Sequence, residues 1–370
     1  MGKKILALFM CILLSVFICG CEADAPIEPV DFSLMPESAM SVHYIDVMQG
    51  DSILLESEEH YVLIDAGEKE YGQTVCNYLD DIGVETLDFV IATHPHSDHC
   101  GGLKKVIDTF ECNSFITVET DQSTKTWIDV LLSVDENEVN YIDATVGETY
   151  SFGQASFEIM GPYSKSYDNY NDYSVVVKAV CGDTSFLFTG DAEKNAEKEM
   201  LENGADLKAD ALKVGHHGSS TSSCDEFLDA VMPSYAVISC GIDNDYGHPH
   251  TEVLNALAFR GITTYRTDEL STIVAFSDKK DITFSYVNTE MVVEKTQAQE
   301  KEDSKSQTEK PTQKENTTTY ASYVGNKNSK KLHLSTCQSV TDMNEKNKVF
   351  FDSKKEALDL GYTPCKNCNP

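Results

Sequence analysis

Short apolar, β-branched runs alternate with stretches of helical periodicity between residue 41 and about residue 287. Residues 52–55, 62–64, 89–92, 115–118, 175–180, 186–189, 211–214, 235–239 and 272–276 read as strands, each three to six positions rich in Val, Ile, Leu, Phe or Tyr. Residues 193–203, 224–231 and 251–260, with a further stretch from residue 101, carry helical spacing. Strands interleaved with helices predict an α/β sandwich over residues 41–293. Residues 294–319 then hold no aromatic residue and Ala298 as the sole apolar one. Such a segment cannot bury enough surface to fold, so it reads as a disordered linker to a separate block, residues 320–370.

At the other end, Lys3 and Lys4 precede an apolar run over residues 5–19 broken by Ser15 alone. The run is too short for a membrane span with those flanks and predicts a secretory signal over residues 1–21. Ile18-Cys19-Gly20-Cys21 resembles a bacterial lipobox, which implies lipidation of Cys21, a short stalk over residues 22–40 and a place on the outer face of the cell membrane.

Length and a hydrophobic content of 41% support one large domain and one small one. The net charge of −32 is unevenly spread: residues 320–370 carry +3, the linker −1, and residues 1–293 hold 16 basic against 50 acidic side chains. The large region therefore repels polyanions at long range, which counts against a sliding, non-specific DNA binder. A grip on nucleic acid must come from metals, local basic residues or the tail. Of twelve cysteines, Cys76, Cys100, Cys112, Cys181, Cys224 and Cys240 show no disulfide framework and read mostly as buried thiols, with Cys100 adjoining the densest polar motif.

That motif is Thr93-His94-Pro95-His96-Ser97-Asp98-His99, three imidazoles and a carboxylate directly after an apolar run. Imidazole nitrogen and carboxylate oxygen suit zinc or a similar divalent ion. His94 and His96 face one ion in this reading, and Asp98 and His99 a second.

H-x-H-x-D-H after a strand resembles the signature of the metallo-β-lactamase superfamily. Further pieces follow in that family's order: residues 42–52 and 62–67 as opening strands, residues 185–191 ending in Asp191, and residues 211–219 carrying His216-His217-Gly218-Ser219. The phrases at residues 46–52, His216-His217-Gly218-Ser219 and Tyr246-Gly247-His248-Pro249-His250 are similar to the hydrolase domain of ComEC-type DNA-internalisation proteins, although Met48 stands where that group usually has glycine. The resemblance implies a four-layer αββα sandwich and two divalent ions, zinc or manganese. His94 and His96 would hold the first, and Asp98, His99 and His217, with His216 as the alternative, the second, with Asp191 as bridge. No histidine lies between His99 and His216, so the family's third histidine of the first site is missing. Asn171 takes the comparable place, with Asp172 as the alternative, and an oxygen ligand there favours manganese or another harder ion. A β-lactamase is disfavoured for the same reason.

Asp98, His248 and His250 are the candidate catalytic groups, the two histidines as proton donor or phosphate clamp. Asp46, Gln49, Asp51 and Asp65 are candidates for orienting the ligands from behind.

In residues 320–370, His333-Leu-Ser-Thr-Cys337 and Cys365-Lys-Asn-Cys368 supply four ligands in the number and type structural zinc prefers, in a block too small for a good core. The block resembles the metal-binding module of Ada-type repair proteins, with His333 in place of one of four cysteines, which disfavours methyl-acceptor chemistry. The expectation is a metal-dependent hydrolase using a metal-bound hydroxide on DNA or a related phosphodiester, the tail holding nucleic acid nearby. The alternatives are a phosphoesterase acting on envelope headgroups such as phosphorylcholine, and a non-catalytic metal-stabilised binding protein.

Overall fold

The structure, a computed structural model, describes residues 29–30, 38–287 and residues 323–366 apart from 328, 335–339, 341–342, 344 and 352–353. The signal segment with Cys21, the linker, Cys337 and Cys368 lie outside these. Chain contacts divide into two compact units at about residue 300.

In the first unit the chain lays down β1 Pro29–Val30, β2 Met40–Tyr44, β3 Ile53–Ser57, β4 His60–Ile64, β5 Thr86–Ile91, β6 Glu111–Thr117 and β7 Asn140–Asp143 in one sheet. A second sheet follows with β8 Thr149–Phe152, β9 Ala155–Gly161, β10 Val176–Cys181, β11 Thr184–Phe188, β12 Ala211–Lys213, β13 Tyr235–Ile238 and β14 Thr263–Arg266. The chain then returns to the first sheet with β15 Ile273–Ser277 and β16 Ile282–Val287. Helices α1 Gly72–Ile82, α2 Ser97–Cys100, α3 Leu103–Ile107 and α4 Lys125–Glu136 belong to the first half, and α5 Lys194–Glu202, α6 Asp225–Val231, α7 Thr251–Phe259 and α8 Thr267–Leu270 to the second.

Alternation along the strands separates three apolar layers. Leu63 and Val90 face outward and pack with Val75 and Leu79 of α1 and Trp127 of α4. Their neighbours Val62, Ile64 and Ile91 face the other way and meet Phe157, Phe186 and Phe188 between the sheets. Leu187 and Leu212 turn outward from the second sheet onto Met200, Phe227 and Leu257. This is the period-2 geometry of strands covered on both faces, and it yields the αββα sandwich. All nine expected strands are present, within four residues at each end.

Strands β4 to β7 are mutually parallel in the first sheet and β11 to β14 in the second. Side chains that leave the carboxyl ends of such strands share one rim, the usual place for a site in α/β sheets. The turns after β5, β11 and β12 lie there and carry His94 to His99, Asp191, and His216 and His217.

The second unit is a four-stranded sheet of β17 Tyr323–Asn326, β18 Lys331–Leu334, β19 Lys348–Phe351 and β20 Thr363–Pro364, with helix α9 Lys354–Asp359. Leu332, Phe351, Ala357 and Tyr362 form its small core. No helix among the described residues is long and apolar enough to cross a membrane.

Candidate metal centre

Three imidazoles are fixed by groups behind them. Asp65, in a left-handed backbone turn at φ 57°, accepts from Thr93 N at 2.8 Å, Thr93 Oγ1 at 2.7 Å and His99 Nδ1 at 2.8 Å. Because Thr93 Oγ1 gives its proton to Asp65, it is free to accept from His94 Nδ1, 3.0 Å away. His217 Nδ1 donates to Ser239 O at 3.0 Å. In each ring the Nδ1 side is spent, so Nε2 turns to the centre, as metal-binding histidines are commonly arranged.

These atoms converge on Asp191. Its Oδ1 lies 3.1 Å from His99 Nε2 and 3.5 Å from His217 Nε2, and those two nitrogens are 3.3 Å apart. Asp98 Oδ2 stands 3.3 Å from His217 Nε2. On the opposite side Asp191 Oδ2 is 3.8 Å from His94 Nε2, which in turn lies 3.0 Å from His96 Nδ1. Among the described residues two groups thus have ligand atoms close enough to share an ion: Asp51, His99, Asp191 and His217, and His94, His96 and Asp191. Asp191 Oδ1 and Asn171 Oδ1 are buried without a hydrogen-bond partner. A buried acceptor without a donor is costly unless a cation meets it, so the donor set fits a pair of divalent ions.

The electrostatics agree. Burial alone would lower the His99 pKa, but Asp191, Asp65 and Asp98 outweigh it and hold the imidazole well above its usual range. At His217 burial is likewise overcome, by Asp191, Asp51 and Asp98, and the ring is lifted to about 9. At His94, burial and the neighbouring His99 prevail and hold it well below. The field that draws protons to His99 and His217 is the field a cation would occupy on displacing them.

His216 and His217 both have left-handed backbone, at φ 50° and 53°, an arrangement non-glycine residues adopt at a cost of order 1–3 kcal/mol each. Gly218 follows at φ 80°, where a Cβ would press on Pro249 at 2.6 Å. The turn splays the two rings. His217 is buried in the group with His99, while the partly exposed His216 reaches Asp191 Oδ2 at 3.6 Å and Glu193 Oε1 at 3.3 Å. The structure therefore puts His217 where the second ion's late histidine is expected, and His216 on the side of His94 and His96.

Asn171 donates through Nδ2 to Glu193 Oε1 at 3.0 Å, leaving its orphaned Oδ1 for the first group. Asp172 instead accepts from Glu193 N, Asn195 Nδ2 and Ala196 N at the start of α5, which makes it a helix cap.

Gln49 accepts from Gly241 N at 3.3 Å, which fixes its amide, and its Nε2 then donates to His248 Nδ1 at 3.4 Å. His248 Nε2 therefore carries the ring proton. Burial, His217 and His216 push its pKa down to about 4, so at neutral pH the ring is a neutral N–H donor. It lines a depression of about 330 Å³ together with His96, Asp98, Asp191, His216 and Tyr246. His250 is not among the lining residues: its Nδ1 accepts from Ser220 N at 2.9 Å and braces the turn after Gly218. Its ring centroid lies 4.9 Å from that of His248. Asp46 accepts from Met48 N at 2.9 Å, a local turn.

Asp51 does stand behind a ligand, with Oδ1 3.4 Å from His217 Nδ1 and Oδ2 2.8 Å from Lys213 Nζ. Lys213, Ser239, the supporting role of Thr93, and Ser174, whose Oγ accepts from Asp191 N at 3.0 Å, escaped the sequence reading. For Lys213 the signal was present, a lone charge inside the apolar run 211–214, where an unpaired ammonium is not tolerated. The six cysteines outside the signal and the tail module are free thiols, four of them buried, and burial raises Cys100 to about 12.

In the second unit, β20 runs parallel to β18 and Cys365 N donates to Leu332 O at 2.8 Å, which brings buried Cys365 beside buried His333. His333 Nδ1 has no hydrogen-bond partner. That pair fits two of the four expected zinc ligands, the others, Cys337 and Cys368, lying outside the described residues.

Comparison with known proteins adds to this geometry. The family described as metallo-beta-lactamase superfamily matches residues 45–242, and the metal binding domain of Ada matches residues 308–370. ComE operon protein 3 of Bacillus subtilis (strain 168) is 32% identical over 250 residues, 63% of this chain and 32% of that protein. Competence protein ComA of Neisseria gonorrhoeae is 30% identical over 239 residues, again 63% and 32%. The chain spans about a third of the length of these relatives. The metallo-beta-lactamase fold protein YhfI from Bacillus subtilis superposes with a TM-score of 0.43 at 11% identity, covering 62% of this chain and 96% of that one. With its site geometry and its ComEC-type relatives, this metal-dependent hydrolase belongs to the metallo-β-lactamase superfamily and carries an Ada-type metal-binding module at its C-terminal end.

Proposed function

We propose that this chain is an exported, lipid-anchored phosphodiesterase that acts on DNA. One observation carries the reading: the two oxygens of Asp191 divide between two buried histidine groups, one at His99 and His217 and the other at His94. A pair of divalent ions, zinc or manganese, bound there supplies activated water and neutralises charge on a phosphoryl group.

The chain's own residues supply the rest. Asp65, Thr93 and Ser239 hold the imidazoles in one orientation, so little reorganises during reaction. Gln49 keeps the His248 proton on Nε2, where it can donate to a phosphoryl oxygen. The names of the relatives, a competence protein and a ComE operon protein, support DNA as the substrate class. The lipobox-like segment ending at Cys21 supports anchoring at the outer membrane face, and the +3 charge of the tail suits weak nucleic-acid contacts.

A second reading draws on the depression itself. No lysine or arginine lines it, Glu68 does, and Tyr246 is 68% exposed with its ring stacked on His248 at 5.6 Å. An aromatic face beside a carboxylate suits a quaternary ammonium, as in a phosphorylcholine ester.

The test is turnover of single-stranded DNA, double-stranded DNA, bis-p-nitrophenyl phosphate and p-nitrophenyl phosphorylcholine with added manganese or zinc. Metal-dependent DNA cleavage abolished by Asp191→Asn supports the proposal. Cleavage confined to the choline ester selects the second reading, and no turnover of any of the four contradicts both.

A further inference from the structure

The structure holds a second depression, of about 470 Å³, whose wall carries Lys69, Lys104, Lys105 and Lys125. Residues 1–293 contain 16 basic side chains against 50 acidic ones, so four in one groove run against the trend of the domain. Glu70, Asp108 and Asp129 also line it. Lys104 pairs with Asp108 and Lys125 with Asp129, each one helical turn apart. Lys69 and Lys105 are exposed and form no ion pair among the described residues. Two ammonium groups thus stand outside any ion pair in a strongly acidic domain, with Glu70 the one acid of the groove that pairs with neither Lys104 nor Lys125.

The groove adjoins the metal centre. Glu68 lines the metal depression and Lys69 the groove; Ser97 and Asp98 line the first and Gly101 the second. Gly101 has no room for a side chain, since a Cβ there would stand 2.4 Å from Ser97 O and 2.5 Å from Lys69 N. The backbone of residues 68–69 and the end of α2 therefore form one thin wall with lysines on one side and metal-binding side chains on the other.

We propose that this groove binds the phosphodiester backbone of single-stranded nucleic acid entering the metal centre, an inference that rests on the phosphodiesterase reading. Ammonium groups neutralise successive phosphates, while the apolar lysine stems and Thr126 give a surface on which sugars can lie. A recess of this size is too small to seat a duplex, and its concavity and place beside the metal site favour a strand over a membrane surface. It also answers how so acidic a domain holds a polyanion: locally, at the point of use.

The test is fluorescence anisotropy of the manganese-loaded full-length chain with labelled phosphorothioate oligothymidylate, which resists cleavage, across a salt series. Lys69→Gln/Lys105→Gln is expected to weaken binding at least tenfold at low salt and to flatten the plot of log affinity against log salt by about 1.4, near 0.7 per lost phosphate contact on a single strand. Manganese-dependent turnover of bis-p-nitrophenyl phosphate, too small to span both depressions, stays within twofold. Unchanged affinity and slope overturn the groove, as does a wild-type chain that binds no oligonucleotide. Loss of binding to phosphatidylglycerol vesicles with oligonucleotide binding intact overturns it in favour of a lipid surface. Failure of both proteins on bis-p-nitrophenyl phosphate counts against the phosphodiesterase reading, while the anisotropy still decides the groove.

Discussion

Lys213 Nζ donates to Asp51 Oδ2 at 2.8 Å, and both side chains are buried beneath the metal centre. The pair lies behind His217, whose Nδ1 is 3.4 Å from the other oxygen of Asp51. Burial alone would raise the Asp51 carboxyl, but Lys213 and His217 hold it down to about 2. The ammonium therefore lets a carboxylate stand ionised in the core.

Removing that ammonium strands the carboxylate. Lys213→Met is expected to destabilise the chain by about 3–5 kcal/mol, the usual range for breaking a buried pair on one side. Urea denaturation followed by tryptophan fluorescence at Trp127 measures it, and a loss below 1 kcal/mol would mean that the pair is not needed.

A second buried acid gives stability a pH dependence. Glu197 of α5 accepts from Ser223 N and Cys224 N at the start of α6, and burial raises its pKa to about 7 from an ordinary value of 4.5. Below 4.5 it is protonated folded or unfolded, and stability is unaffected. Between 4.5 and 7 the unfolded chain loses its proton first, so stability falls as pH rises, by on the order of 3 kcal/mol in full above pH 7. Glu197→Gln should remove most of that slope, read as urea midpoints between pH 5 and 8. An equal slope in both proteins assigns the dependence elsewhere.

The two histidines of residues 248–250 should separate by phenotype. His248→Ala removes a neutral N–H donor at the depression and is expected to lower turnover of bis-p-nitrophenyl phosphate about 100-fold with metal content retained. His250→Ala leaves Ser220 N without its acceptor, which costs about 1–3 kcal/mol of stability. Its turnover should change by less than about fivefold. The reverse pattern in paired kinetics and melting curves would exchange the two roles.

Much of this architecture is legible in the sequence because buried parallel strands must be continuous apolar runs. Residues 62–64, 89–92 and 211–214 declare themselves that way, and the carboxyl ends of those strands carry the chemistry. β7 and β14 do not declare themselves: Asn140–Asp143 and Thr263–Arg266 lie half-exposed near sheet edges, with too little apolar content. Helices α1 and α4 went unread because Gly72 opens one and Lys, Thr, Ser and Asp interrupt the other, although Thr124 caps it by accepting from Trp127 N. At the site, residue type and spacing pointed to His94, His96, Asp98 and His99. They could not apportion His216 and His217, because consecutive left-handed residues send neighbouring rings to opposite sides. Nor could they join Lys213 to Asp51 across 162 positions of chain.

The central claim is that Asp191 joins two ion-binding groups, and metal content tests it most directly. Elemental analysis of the manganese- or zinc-loaded full-length chain should give His94→Ala one ion fewer than wild type and His217→Ala one ion fewer, each with the other group filled. Asp191→Asn should lose both while keeping the ion of the C-terminal module. Equal metal content in wild type and Asp191→Asn would contradict the account.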